Sequence, residues 1–150
     1  PARWGAESVE FLISTVPGQP AKPLSKVASG GELSRISLAI AVVVAKTSVI
    51  PTLVFDEVDA GIGGATGDVV GRLLRQLGES AQILCVTHLA QVASKAHRHL
   101  KVEKSVSKKG AVTTLAVLEG EAKVLEIARM MGGVAESQQS LAHARQMLGV

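Results

Sequence analysis

Two apolar periods alternate along this chain, and the switches between them mark its elements. Val9, Phe11 and Ile13 alternate with polar neighbours, which predicts a strand with one wet face. Pro17, Pro20 and Pro23 make the next stretch a loop. Ser29 followed by Glu32 is a capping-box pattern, and the apolar stretch Leu38 to Ala45 comes soon after; together they predict a buried helix from Ser29 to about Thr47. Thr52 to Asp56, after Pro51, reads as a buried parallel strand: short, continuous and apolar. Gly61 to Gly67 reads as a glycine-rich turn. Val69, Val70, Leu73, Leu74 and Leu77 fall on one helical face, with Gly78 as the stop.

The same logic extends to the end of the chain. Gln82 to Val86 is a second buried-type strand leading to Thr87 and His88, and Leu89 to Ala96 follows as a short helix. His99 to Ser105 and Val112 to Leu118 read as strands joined by a turn at Lys108-Lys109-Gly110, with Leu100 and Val102 inward and His99 and Lys101 outward. Helices are expected near Ala122 to Met131 and Ser137 to Leu148, with Met130 and Met131 as packing residues. Alternating strands and helices predict an α/β fold: a mainly parallel sheet flanked by helices, with a C-terminal hairpin and helices.

Three motifs carry candidate chemistry. Gly30 and Gly31 leave the first turn of the predicted helix without side chains, so bare N–H groups and the helix dipole can receive an anion; a flexible helix start is the plainer alternative. Asp56 and Glu57 stand at the C-terminal end of a predicted strand, where open α/β sheets bind ligands. Successive strand residues point to opposite sides, so the two carboxylates have different jobs. One can hold Mg²⁺, and the other can orient or deprotonate a water that attacks a phosphoryl group. His88 follows the second strand, where it can sense a terminal phosphate.

Together the motifs resemble the ATPase head of the ABC class in its SMC-like branch: a signature motif at Ala28 to Arg35, an acidic Walker B strand at Thr52 to Glu57, a D-loop at Val58 to Gly63 and a switch histidine at His88. Val9 to Ser14, Asp56 to Gly64, Val86 to Ala93 and Glu126 to Gly133 further resemble the RecN family of bacterial DNA repair proteins. A transporter ATPase would carry Pro-Thr after its Asp-Glu, where this chain has Val58-Asp59. Residue 90 is Ala where that family's pattern has Pro.

The resemblance implies two heads that sandwich ATP and Mg²⁺, in a protein of DNA double-strand-break repair and recombination. Ser29, Gly30, Gly31 and Glu32 would contact the γ-phosphate of ATP held by the partner head, in a homodimer. Asp56 would serve the metal and Glu57 would be the general base. Asp59 would contribute at the head–head interface, and His88 would sense the γ-phosphate. No G-x-x-x-x-G-K-[ST] motif occurs in the chain, so residues 1–150 are expected to be the C-terminal half of a head, with the phosphate-loop half and a coiled coil outside it. The alternatives are a non-catalytic assembly fragment and the head of another SMC-like chromosome or recombination ATPase.

Composition narrows the class. With 47% hydrophobic and 19% charged residues, the chain can bury a core and is not of disordered type. The single cysteine, Cys85, lies in an apolar strand and excludes a disulfide framework. No stretch is long enough to span a bilayer and no signal peptide is visible, so the expected location is the cytoplasm; the resemblance adds the nucleoid after DNA damage. A net charge of +3 is not that of a dedicated nucleic-acid binder. Basic residues do gather from Lys95 to Lys109, which reads as a solvated hairpin or, more sharply, as a DNA contact. Aromatics are only 2%, which disfavours base stacking, so any DNA contact there would be to phosphates.

Overall fold

The computed structural model describes residues 5–14, 16–26, 30–44, 50–107, 110–132 and 137–150. At its centre two strands, β3 (Thr52–Asp56) and β4 (Gln82–Val86), pair in parallel. Leu53 and Phe55 stand opposite Ile83 and Cys85, and this face packs on helices α1 (Gly30–Val44) and α2 (Gly64–Leu77). Leu38, Phe55, Val58, Val70, Leu74, Leu77 and Val92 form the buried cluster. The strands are apolar on both faces, as parallel strands buried on two sides are. The second face is open here: Val54, Leu84 and Val86 are 67%, 45% and 63% exposed.

Two elements precede the central pair: β1 (Leu12–Ile13) and β2 (Lys22–Pro23), which are antiparallel. The strand predicted around Val9, Phe11 and Ile13 therefore shrinks to two residues, and Val9 and Phe11 are exposed. Its partner lies inside the stretch read as a loop. Pro23 has no N–H to continue the ladder, and the chain turns at once into a 3₁₀ segment at Leu24–Lys26.

Helix α2 starts at Gly64, inside the stretch expected to be a turn. Its glycines serve packing. A Cβ on Gly71 would lie 2.9 Å from the Gln91 carbonyl oxygen and 3.2 Å from Val92 Cα, both in the short helix α3 (Ala90–Ala93). A Cβ on Gly67 would meet Leu89 Cδ1 at 3.2 Å. Gly71→Ala tests this directly. Alanine favours a helix over glycine by about 1 kcal/mol, yet here backbone must move, which costs about 1–3 kcal/mol. The expected result is a thermal midpoint lower by several degrees; an unchanged or raised midpoint would mean that α3 yields without cost.

A hairpin, β5 (His99–Ser107) and β6 (Gly110–Leu118), follows, and helices α4 (Gly120–Met130) and α5 (Gln138–Leu148) close the chain. Two turn residues of the predicted hairpin, Lys108 and Lys109, lie outside the described residues. The predicted facing of β5 is reversed. Leu100 and Val102 are 49% and 64% exposed, while His99 is half-buried. Lys101 turns in because an acid waits for it: its Nζ lies 3.3 Å from Oε2 of the nearly buried Glu126 and 2.8 Å from Glu103 Oε1. Arg129 holds the same Glu126 with two hydrogen bonds, of 2.9 and 2.6 Å.

Helices α4 and α5 pack through Val124, Ile127, Ala128 and Ala144, with Met130 and Met131 against the cluster. The ends of α5 are specified by sequence: Ser137 Oγ accepts from the Ser140 N–H, and Gly149 closes the helix in the left-handed conformation. No helix among the described residues is long and apolar enough to cross a membrane.

Candidate active site

Asp56 and Val86 are register partners at the ends of β3 and β4, so Glu57 and the Thr87–His88 segment leave the sheet from the same edge. Asp56 is exposed and shares the open face with Val54, while Phe55 points into the core. Glu57 has φ +59°, the one non-glycine residue with positive φ among those described. For an L-residue that costs on the order of 1–2 kcal/mol, and such strain is retained where surrounding structure imposes it. The chain then folds into a tight turn: the Ala60 N–H donates to the Glu57 carbonyl at 3.1 Å, and the Ile62 N–H to the Asp59 carbonyl at 3.3 Å.

Helix α1 approaches this turn from the side. Gly30, its first residue, lies so close to Glu57 that a Cβ there would stand 3.3 Å from Glu57 Oε2. The bare helix start thus admits the Glu57 carboxylate of the same chain. Gly31 and Glu32 occupy the same first turn, whereas Ser29, the expected cap, lies outside the described residues. Further along α1, Arg35 Nη1 donates to the Ala60 carbonyl at 2.8 Å.

Asp59 is 1% exposed, and its partners lie within the chain. Its Oδ2 accepts from the Thr87 hydroxyl, from the His88 N–H at 3.0 Å and from the Leu89 N–H at 3.3 Å. His88 Nδ1 is 3.2 Å from the same oxygen, while most of the ring stays exposed. Burial pushes the Asp59 carboxyl up, but the hydrogen bonds from Thr87 and the backbone, with the nearby His88, outweigh it and hold the group below its ordinary value. The sequence reading placed Asp59 at the head–head interface; within this chain its carboxylate holds the segment that carries His88. Neither this link nor Arg35–Ala60 was foreseen, since each joins residues far apart in sequence.

Among the described residues no group of three or more His, Cys, Asp or Glu side chains stands ready for a metal. Mg²⁺ does not require one, because it is usually held by one or two carboxylates together with substrate phosphates and water. An exposed Asp56 at a strand end fits that donor set. Cys85 is not a reactive thiol: burial, with Asp59 and Asp56 nearby, pushes it up to about 11. Of the basic stretch, Lys95 pairs with Asp68 at 3.1 Å and Lys101 with Glu103 and Glu126.

The chain is 54% identical over 144 residues to the DNA repair protein RecN of Xylella fastidiosa, 51% over 144 residues to that of Vibrio cholerae and 47% over 148 residues to that of Deinococcus radiodurans. These matches cover 96%, 96% and 99% of the chain. Over nearly its whole length the chain is similar to RecN. It spans about a quarter (26%) of the length of each of these relatives. No family model matches the chain. In structure it is similar to an SMC ATPase studied for ATP-driven dimerisation and DNA-stimulated activation, with a TM-score of 0.54 and 23% identity, covering 77% of this chain and 68% of that one. It is also similar to the Smc head domain with coiled coil and joint of Pyrococcus yayanosii, with a TM-score of 0.59 and 22% identity, covering 76% of this chain and 21% of that one. The fold is therefore that of an SMC-type ATPase head lobe, and the α/β expectation holds.

Proposed function

We propose that this chain is the C-terminal half of the ATP-hydrolysing head of a RecN-like protein that acts in DNA double-strand-break repair. One observation carries the reading: Asp56 and Glu57 leave the same sheet edge as His88, whose segment is locked to the adjoining turn by Asp59. Asp56 would hold Mg²⁺, which when bound neutralises charge on the phosphate oxygens. Glu57 would take the proton of the attacking water, and His88 would face the γ-phosphate. The start of α1, with Ser29, Gly30, Gly31 and Glu32, would present its N–H groups to ATP held by a second head. Asp59 enters through the turn it anchors. ATP-driven closure of two heads, hydrolysis and release would then gate contact with DNA.

The exposed face of the central strands supports the partner half. Val54, Leu84 and Val86 form an apolar surface of the kind that parallel sheets cover with further structure. The hairpin adds Leu100, Val102, Leu115 and Val117, all exposed on one face by register. A phosphate-loop half packed there would complete both the core and the nucleotide site.

The division of labour has a simple test. ATP should bind the 150-residue chain weakly or not at all, because this sequence lacks the phosphate loop that makes most phosphate contacts. Turnover should appear only with the phosphate-loop half present. Calorimetry that found micromolar affinity for this chain alone would overturn the assignment.

A further inference from the structure

We propose that Arg35 is a positioning residue that ties the signature helix α1 to both Glu57 and His88. The inference rests on the proposed ATPase reading, and it concerns a residue to which that reading gives no role. Arg35 lies five residues past Gly30, about 7.5 Å further along the helix axis, and thus clear of the helix start that would face phosphate. Its guanidinium reaches across to the turn after β3 and donates to the Ala60 carbonyl at 2.8 Å.

Ala60 is a junction. Its own N–H is bonded to the Glu57 carbonyl at 3.1 Å, so the residue whose carbonyl Arg35 holds also closes the Glu57 turn. The preceding residue, Asp59, is buried and grips Thr87, His88 and Leu89 through one carboxylate oxygen. Hydrogen bonds therefore run from α1 through Arg35 and the Ala60 residue to the Glu57 backbone, and one peptide link further, through the Asp59 carboxylate, to the histidine segment. A displacement of α1 on meeting a partner's nucleotide would move both groups together. A charged donor on a carbonyl is among the stronger neutral-acceptor bonds, and Arg presents it from a planar, permanently charged fork. Glu57 sits at a strained φ, a conformation that needs support from its surroundings.

The test uses a full-length RecN-type protein carrying these residues. Arg35→Met keeps the aliphatic stem and removes the guanidinium; Arg35→Lys keeps the charge on a flexible stem. Arg35→Met should lower kcat on the order of 10-fold while KM, ATP affinity and the thermal midpoint stay close to those of the parent. Arg35→Lys should recover part of the loss. In combination with Asp59→Asn the losses should be less than multiplicative, because both act through one turn. Unchanged kcat in Arg35→Met, a loss confined to KM, or fully multiplicative losses would overturn the relay. Glu57→Gln in the same protein separates the two levels. If it abolishes turnover while Arg35→Met leaves kcat unchanged, the relay alone fails; if it turns over at the parent rate, the ATPase reading fails and the relay with it.

Discussion

Glu57→Gln in the complete protein should lower ATP hydrolysis on the order of 100-fold or more, leave ATP binding intact and let ATP-bound head dimers accumulate. The size of the effect follows from losing a general base. The selectivity follows from the surroundings of Glu57. Glutamine has the shape of glutamate, so it can keep the left-handed backbone at φ +59° and the close fit against Gly30. The Asp59 grip on Thr87, His88 and Leu89 does not involve the substituted atom. Asp56, one residue earlier at the end of β3, keeps its own carboxylate. Single-turnover hydrolysis, equilibrium ATP binding and ATP-dependent dimerisation in one preparation check all three parts. Turnover at the parent rate would remove Glu57 from the role of base.

Sequence patterning reads some of these elements and not others, and the reason lies in how far apart the determinants are. β3, β4 and the end of α2 are visible because Pro51, Gly78 and continuous apolar runs act within a few residues. Asp56, Glu57 and His88 could be singled out because they lie at or just past strand ends, which local pattern locates. The inward turn of Lys101 was not, because its cause is Glu126 on a helix more than twenty residues later. Leu100 and Val102 looked like core residues, yet on this chain they form an open face. Gly67 looked like part of a turn, although with Gly71 it lets α3 pack backbone-close on α2. Arg35–Ala60 and Thr87–Asp59 are long-range polar pairs with no periodic trace in the sequence. They hold the turn after β3 and the segment of the candidate histidine, supports that only the folded chain reveals.

Ser29→Arg in the complete protein should abolish ATP-dependent head dimerisation and ATPase activity together, while ATP affinity stays near that of the parent. Arginine at the start of the signature helix would place a bulky side chain where a partner's phosphate must dock. The sequence pattern marks Ser29 as a helix cap, and the loss of such a cap costs roughly 1 kcal/mol of local stability. The helix should survive that, because α1 is held by burial further along: Leu38 is 1% exposed, and Ala41 and Val42 pack on the central cluster. Primary nucleotide affinity should survive because, in the proposed division, the phosphate loop would belong to the other half of the head. The decisive comparison is ATP affinity against ATP-dependent dimerisation in the single variant. If both were lost, the substitution would act on the head's own nucleotide site or on its fold. If neither were lost, the start of α1 would not be a phosphate site for the partner, and its glycines would be explained by the close approach of Glu57 to Gly30 alone.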